Sequence, residues 1–157
     1  MTFLKKLGRY SCNILIIYSF IKLNSKQFYR NIFAMGVLVT AIVNVVLKFI
    51  YFERRPDISE RKFNEMIKKR SIYPGMLDFP SGHMQLLFFI CIFMFNIGLT
   101  IPECFGFLFF LGICLYCIIK NYYHSNLAVI VGSAIGSIFG YIFYEFTKKN
   151  TKILDKF

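Results

Sequence analysis

Pro80-Ser81-Gly82-His83 stands at the mouth of an apolar run, residues 84–101, which Pro102-Glu103 separates from a second apolar run, residues 104–119. Two runs of that length joined by so tight a turn read as a hairpin of membrane-spanning helices. A hairpin returns the chain to the face it left, so the polar stretch before His83 and the short connection 120–124 emerge together. The chain has two histidines, His83 and His124, and both then lie on one face. Pro80 cannot extend a preceding helix, Ser81 suits an N-cap, and Gly82 lets a ligand approach the backbone. The start of this helix therefore offers free N–H groups to an anion such as phosphate.

Working outward, residues 31–52 form a full-length apolar span interrupted by Thr40, Asn44 and Lys48. Lys48 lies near its end, where a long side chain either snorkels to the headgroups or joins a site. Residues 10–23 are a shorter apolar run behind a basic lead carrying Lys5, Lys6 and Arg9. On the other side, Ser125 or Asn126 caps a last span running to about residue 146, followed by the basic tail Lys148, Lys149, Lys152 and Lys156. Gly132, Gly136 and Gly140 recur in that span every fourth residue, a small-residue face for close helix packing. The expected fold is all-α: one membrane-embedded domain over 1–157 with five spans, 10–23, 31–52, 84–101, 104–119 and 125–146, and a polar loop, 53–83. Within that loop, residues 53–79 hold seven basic and five acidic side chains. Phe63, Met66, Ile67 and Tyr73 fall there at roughly helical spacing, which suits either a short interfacial helix or a solvated charged loop.

Composition supports the membrane reading. Of 157 residues 57% are hydrophobic, and the mean hydropathy is +0.56, values that fit a multi-pass integral membrane protein and not a soluble core. A net charge of +11 would suggest nucleic acid in a soluble protein. Here the basic residues sit between apolar runs, where they orient helices and meet anionic lipid, so the bilayer is the expected partner and nucleic acid is not. The apolar runs are too many and too long for a signal peptide, and the chain reads as mature throughout. Five cysteines, odd in number and without paired metal-ligand spacing, read as small packing residues. Lys48 and Arg55 open into the loop that ends at His83, so four phosphate-handling candidates converge from three segments.

Lys48, six residues, Arg55-Pro56, then Pro80-Ser81-Gly82-His83, then His124 after a short helical hairpin resembles the type 2 phosphatidic acid phosphatase superfamily, which includes lipid phosphatases and vanadium haloperoxidases. That superfamily's third motif is Ser-Arg, five residues, His, and usually Asp four residues later. Here those positions read Cys117-Ile118, five residues, His124 and Ala128. His83-Met84-Gln85 and Tyr123-His124, with Gly132 and Gly136 beyond, look most like the dolichyl diphosphatase branch, which also lacks the Asp. The resemblance implies that His124 attacks phosphorus to give a phosphohistidine and that His83 protonates the departing oxygen. It further implies that Lys48, Arg55, Ser81 and the Gly82 N–H hold the phosphate oxygens, without metal or cofactor. Ile118 leaves no guanidinium where the family has one, and Lys120 is the nearest substitute in sequence. The implied substrate is a lipid phosphate, polyprenyl diphosphate before phosphatidate. The alternative is a non-catalytic relative that binds lipid phosphate or a partner.

Overall fold

The computed structural model describes residues 3–121 and 123–154; Lys156 and the side chains of Lys5 and Lys152 lie outside the described residues. The apolar runs become helices, and among the described residues there are six: α1 Phe3–Lys22, α2 Gln27–Tyr51, α3 Glu60–Lys68, α4 Gly82–Ile97, α5 Ile101–Lys120 and α6 Asn126–Leu154. No strand occurs among them. The helices α2, α5 and α6, the last over Asn126–Thr151, are long and apolar enough to cross a membrane. Helix α4 is apolar but has 16 residues, which at 1.5 Å per residue gives about 24 Å against a hydrocarbon core of about 30 Å.

Helix α4 is the hub. It touches α1, α2, α5 and α6, and Met84, Leu87, Phe89, Ile90, Cys91, Phe93 and Met94 bury residues all round it, as expected of a helix apolar on every side. Phe33 of α2 lies against Phe89 and Phe93, with ring centroids 5.8 and 5.3 Å apart. The closest approach is with α6. A Cβ on Gly132 would stand 2.6 Å from the Ser81 carbonyl oxygen, one on Gly136 2.0 Å from that of Gln85, and one on Gly140 2.7 Å from that of Phe89. Both sets of positions rise together by four, so α4 and α6 run parallel and start at the same end.

The hairpin turn differs from the sequence expectation. It falls at residues 98–100, and Pro102-Glu103 belong to the first turn of α5. Gly98, at φ +99°, ends α4 in a conformation that glycine adopts without a Cβ clash. Proline is at home in a first helical turn, where its missing N–H has no intrahelical partner to lose. The Glu103 carboxylate accepts from the Thr100 N–H at 2.6 Å and from its hydroxyl at 2.8 Å, which closes the start of α5. The polar loop also contains more order than a loop. Ser59 caps α3 by accepting from the Lys62 N–H at 3.4 Å, and the last two residues assigned to the loop, Gly82 and His83, form the first turn of α4.

If α4 and α6 depend on this backbone contact, Gly136→Ala overpacks it and lowers stability by about 1–3 kcal/mol. Gly112→Ala, with open space around its Cβ, leaves the unfolding midpoint in detergent unchanged or slightly raised.

Candidate active site

The parallel start of α4 and α6 brings His83, in the first turn of α4, beside His124, two residues before α6. Both line two adjoining cavities of about 250 and 330 Å³, together with Arg55 and Arg9. The Ser81 N–H donates to the Ala128 carbonyl at 2.9 Å and joins the two helix starts. The Ser81 side chain occupies the N-cap position but makes no capping bond; its hydroxyl is buried with no partner among the described residues. Gly82 lines the larger cavity.

Helix α2 supports this junction with a polar stripe. Thr40, Asn44 and Lys48 recur every fourth residue and are buried on one face. The Asn44 amide donates to the Pro80 carbonyl at 3.2 Å and to Gln85 Oε1 at 2.9 Å, and the Gln85 amide donates to the Thr40 carbonyl at 3.1 Å. Buried amides need such partners. Lys48 Nζ donates to the carbonyls of Leu77 and Asp78 and also lines the larger cavity.

The loop is held as a paired turn. The Asp78 N–H donates to the Glu53 carbonyl at 2.7 Å and the Arg55 N–H to that of Met76 at 3.2 Å. Phe63 of α3 packs with Met76 and Leu77, which anchors the 76–78 side of the turn. Arg55 is thereby presented to the cavity, with Nε on the Tyr123 carbonyl at 2.9 Å, Nη1 on that of Gly75 at 2.9 Å and Nη2 on Asp57 at 3.2 Å.

Asp78, which sequence reasoning passed over, pairs with His124: Nδ1 to Oδ1 is 2.8 Å, and the Ser125 N–H donates to both carboxylate oxygens at 3.2 Å. Burial pushes the Asp78 carboxyl up, but the donors on His124 and Ser125 outweigh it and hold it below the ordinary carboxylate range. A carboxylate only accepts, so Nδ1 carries the proton and Nε2 keeps its lone pair. Burial lowers His124 below the usual imidazole value; Asp78 opposes this, while Lys48 and Arg55 add to it. The result is a neutral, oriented imidazole. The available signal in the sequence was a lone acid between Leu77 and Phe79, in an apolar patch just before Pro80.

Six of the seven site residues expected from sequence therefore meet at one end of the helices: His83, His124, Lys48, Arg55, Ser81 and Gly82. Lys120 does not join them. Its ammonium lies 2.7 Å from the Tyr116 hydroxyl and 5.1 Å from that ring's centroid, and it lines neither cavity. Two residues along a helix are about 200° of rotation, so Lys120 cannot share the face of Ile118, which does line the smaller cavity.

Fold and site together define a protein that is all-helical among the described residues, with three helices long and apolar enough to cross a membrane and a histidine–carboxylate pair set among basic side chains. Comparison with family models matches residues 30–152 to the PAP2 superfamily. The chain belongs to that superfamily, and a phosphatase-type hydrolase function follows at that coarse level. Comparison with curated proteins and with solved structures finds no match.

Because the Asp78 carboxylate raises the His124 pKa against burial, Asp78→Asn should lower it further. Since the chain has two histidines, NMR of labelled imidazole, assigned with His83→Ala, reads this directly. The His124 midpoint lies below about 6.5 in the wild type and moves down in the variant; an upward move would show that the carboxylate is not its partner.

Proposed function

We propose that the protein is an integral membrane phosphatase that hydrolyses a lipid phosphate or polyprenyl diphosphate through a phosphohistidine on His124. The observation that carries the reading is the Asp78-paired His124 sharing a cavity with His83 and Arg55. In this scheme Nε2 of His124 attacks phosphorus and the bond from phosphorus to the lipid-side oxygen breaks. His83, as imidazolium, gives that oxygen its proton. The neutral His83 then takes a proton from water, whose oxygen attacks the phosphohistidine, so inorganic phosphate leaves and both histidines return to their starting states.

Negative charge concentrates on the equatorial oxygens during transfer, so fixed donors count most. Arg55, Lys48 and the open N–H groups at the start of α4 supply them. No step is routed through a metal, and activity should survive a chelator. The amphiphilic substrate follows from location: a site at helix ends receives a headgroup while its tail stays in the bilayer. Polyprenyl diphosphate is the first choice, from the His83-Met84-Gln85 and Tyr123-His124 likeness, and phosphatidate the next. All five apolar helices cross the bilayer in this reading, with α4 making the shortest passage.

One observation favours a second reading, a non-catalytic relative that binds lipid phosphate. Ile118 places an apolar side chain in the cavity wall where the family has arginine. Phosphate release from the purified protein separates the two readings.

His124→Ala should cut phosphate release about a thousandfold or more with helix content unchanged, whereas His83→Ala should be milder towards aryl phosphates with good leaving groups. Protonation of Nε2 blocks attack, and the His124 pKa is lowered, so the acidic limb of kcat/KM lies below about pH 6.5. A variant at His124 that keeps a tenth of the activity would remove it as nucleophile.

Topology has its own check. In a background without the native cysteines, Ser71→Cys and Asn121→Cys should label from one side of the membrane and Thr151→Cys from the other. Labelling of all three from one side would break the five-span arrangement.

A further inference from the structure

The cations already placed around the cavities are largely committed. Lys48 Nζ is bonded to two carbonyls. Three nitrogens of Arg55 are bonded to Tyr123, Gly75 and Asp57, and the Asp57 carboxylate, 3.1 Å from Nε, balances its charge. A transferring phosphoryl group presents three equatorial oxygens and gains charge on them, so beside the N–H groups at the start of α4 and these two bonded cations an uncommitted cation would add to the hold. Arg9 is different. It lines both cavities, is exposed, and makes no hydrogen bond or ion pair with any described residue.

Its position is enforced by packing. A Cβ on Gly8 would stand 2.8 Å from Cys117 Sγ, so the backbone of α1 lies directly on α5, one residue before Ile118. Ile118 is buried at 4% exposure, and Gly8, Arg9, Cys117 and Ile118 form one wall of the smaller cavity. Arg9 shares both cavities with His83 and His124. Arg9 also stands outside the stretch, 30–152, that matches the family.

We propose that Arg9 of α1 is a phosphate-binding residue that clamps the phosphoryl group transferred to His124, from the wall where Ile118 of α5 offers only an apolar side chain. The inference rests on the phosphatase reading above. A guanidinium on α1 presents five N–H donors in a planar fork, suited to two phosphate oxygens at once. The ligand chemistry is a tetrahedral or trigonal-bipyramidal oxyanion, whatever lipid carries it.

The test compares wild type, Arg9→Gln, Arg9→Lys and Lys6→Gln in detergent micelles. Readouts are kcat/KM on phosphatidate and on a short prenyl diphosphate, orthovanadate inhibition, and the unfolding midpoint. Arg9→Gln should lose about a hundredfold in kcat/KM on both substrates and in vanadate affinity, with an unchanged midpoint. Arg9→Lys should recover part of this, as a point charge without the fork, and Lys6→Gln, on the same helix but lining neither cavity, should match wild type. An active wild type whose Arg9→Gln variant stays within about threefold overturns the clamp and leaves the phosphatase reading standing. Unchanged vanadate affinity with a loss on the diphosphate alone also overturns it, because Arg9 would then hold the second phosphate. A wild type that neither releases phosphate nor binds vanadate overturns the phosphatase reading and the clamp with it.

Discussion

Where α6 crosses α4, backbone meets backbone, with Gly132, Gly136 and Gly140 seated on the carbonyls of Ser81, Gln85 and Phe89. In lipid, helices gain little from hiding apolar surface, so association rests on close van der Waals contact of this kind. The contact also sets height. Because the pairs advance together, the starts of the two helices are level, and the bond from the Ser81 N–H to Ala128 fixes the last offset. The two imidazoles owe their shared cavity to that register, not to any contact between themselves.

A second constraint is polar and comes from α2. Gln85 sits on α4 at 0% exposure inside an otherwise apolar bundle, a position that costs stability unless its amide is satisfied. Thr40 and Asn44 satisfy it, and the same Asn44 amide holds the Pro80 carbonyl. One turn further on, Lys48 holds the carbonyls of Leu77 and Asp78. The stripe thus runs from the membrane interior to the loop and ties the helix start to the segment that precedes it. These bonds are more specifying than apolar contact, because a slip of α2 by one turn would leave the amides of Asn44 and Gln85 and the Lys48 ammonium buried without partners.

The apolar runs and the four-residue glycine ladder were readable because they depend on side chains near in sequence. Run length marks a helix, and a repeat of four marks a face. The turn at residues 98–100 was misplaced because Pro102 was read as a breaker, although a first-turn proline is compatible with a helix. Lys120 was linked to the site by its nearness to Ile118 in sequence, a measure that ignores the rotation between them. Asp78 and Arg9 were hidden for a different reason. Asp78 meets His124 across 46 positions, after a pairing of 53–55 with 76–78 that no local pattern announces. Arg9 read as the flank of a span beginning at residue 10, whereas α1 begins at Phe3 and carries it as a helical residue.

The carboxylate reaches His124 from the loop, at Asp78, and not from α6, where position 128 is alanine. Position 128, where the superfamily usually has aspartate, lies four residues before Gly132, so it continues the face 128, 132, 136, 140 that meets α4. Ala128 is fully buried there at 0% exposure, with its carbonyl on the Ser81 N–H. A bulkier side chain on this ladder would compete for space with the contact that levels the two helices. With a small residue at 128, the partner of His124 must come from another element, and the paired turn of the loop delivers Asp78 there. Its N–H is held by Glu53, its carbonyl by Lys48, and its carboxylate by His124 and Ser125. Loop, α2 and the imidazole therefore form one unit, in which the tautomer of His124 depends on how the loop folds.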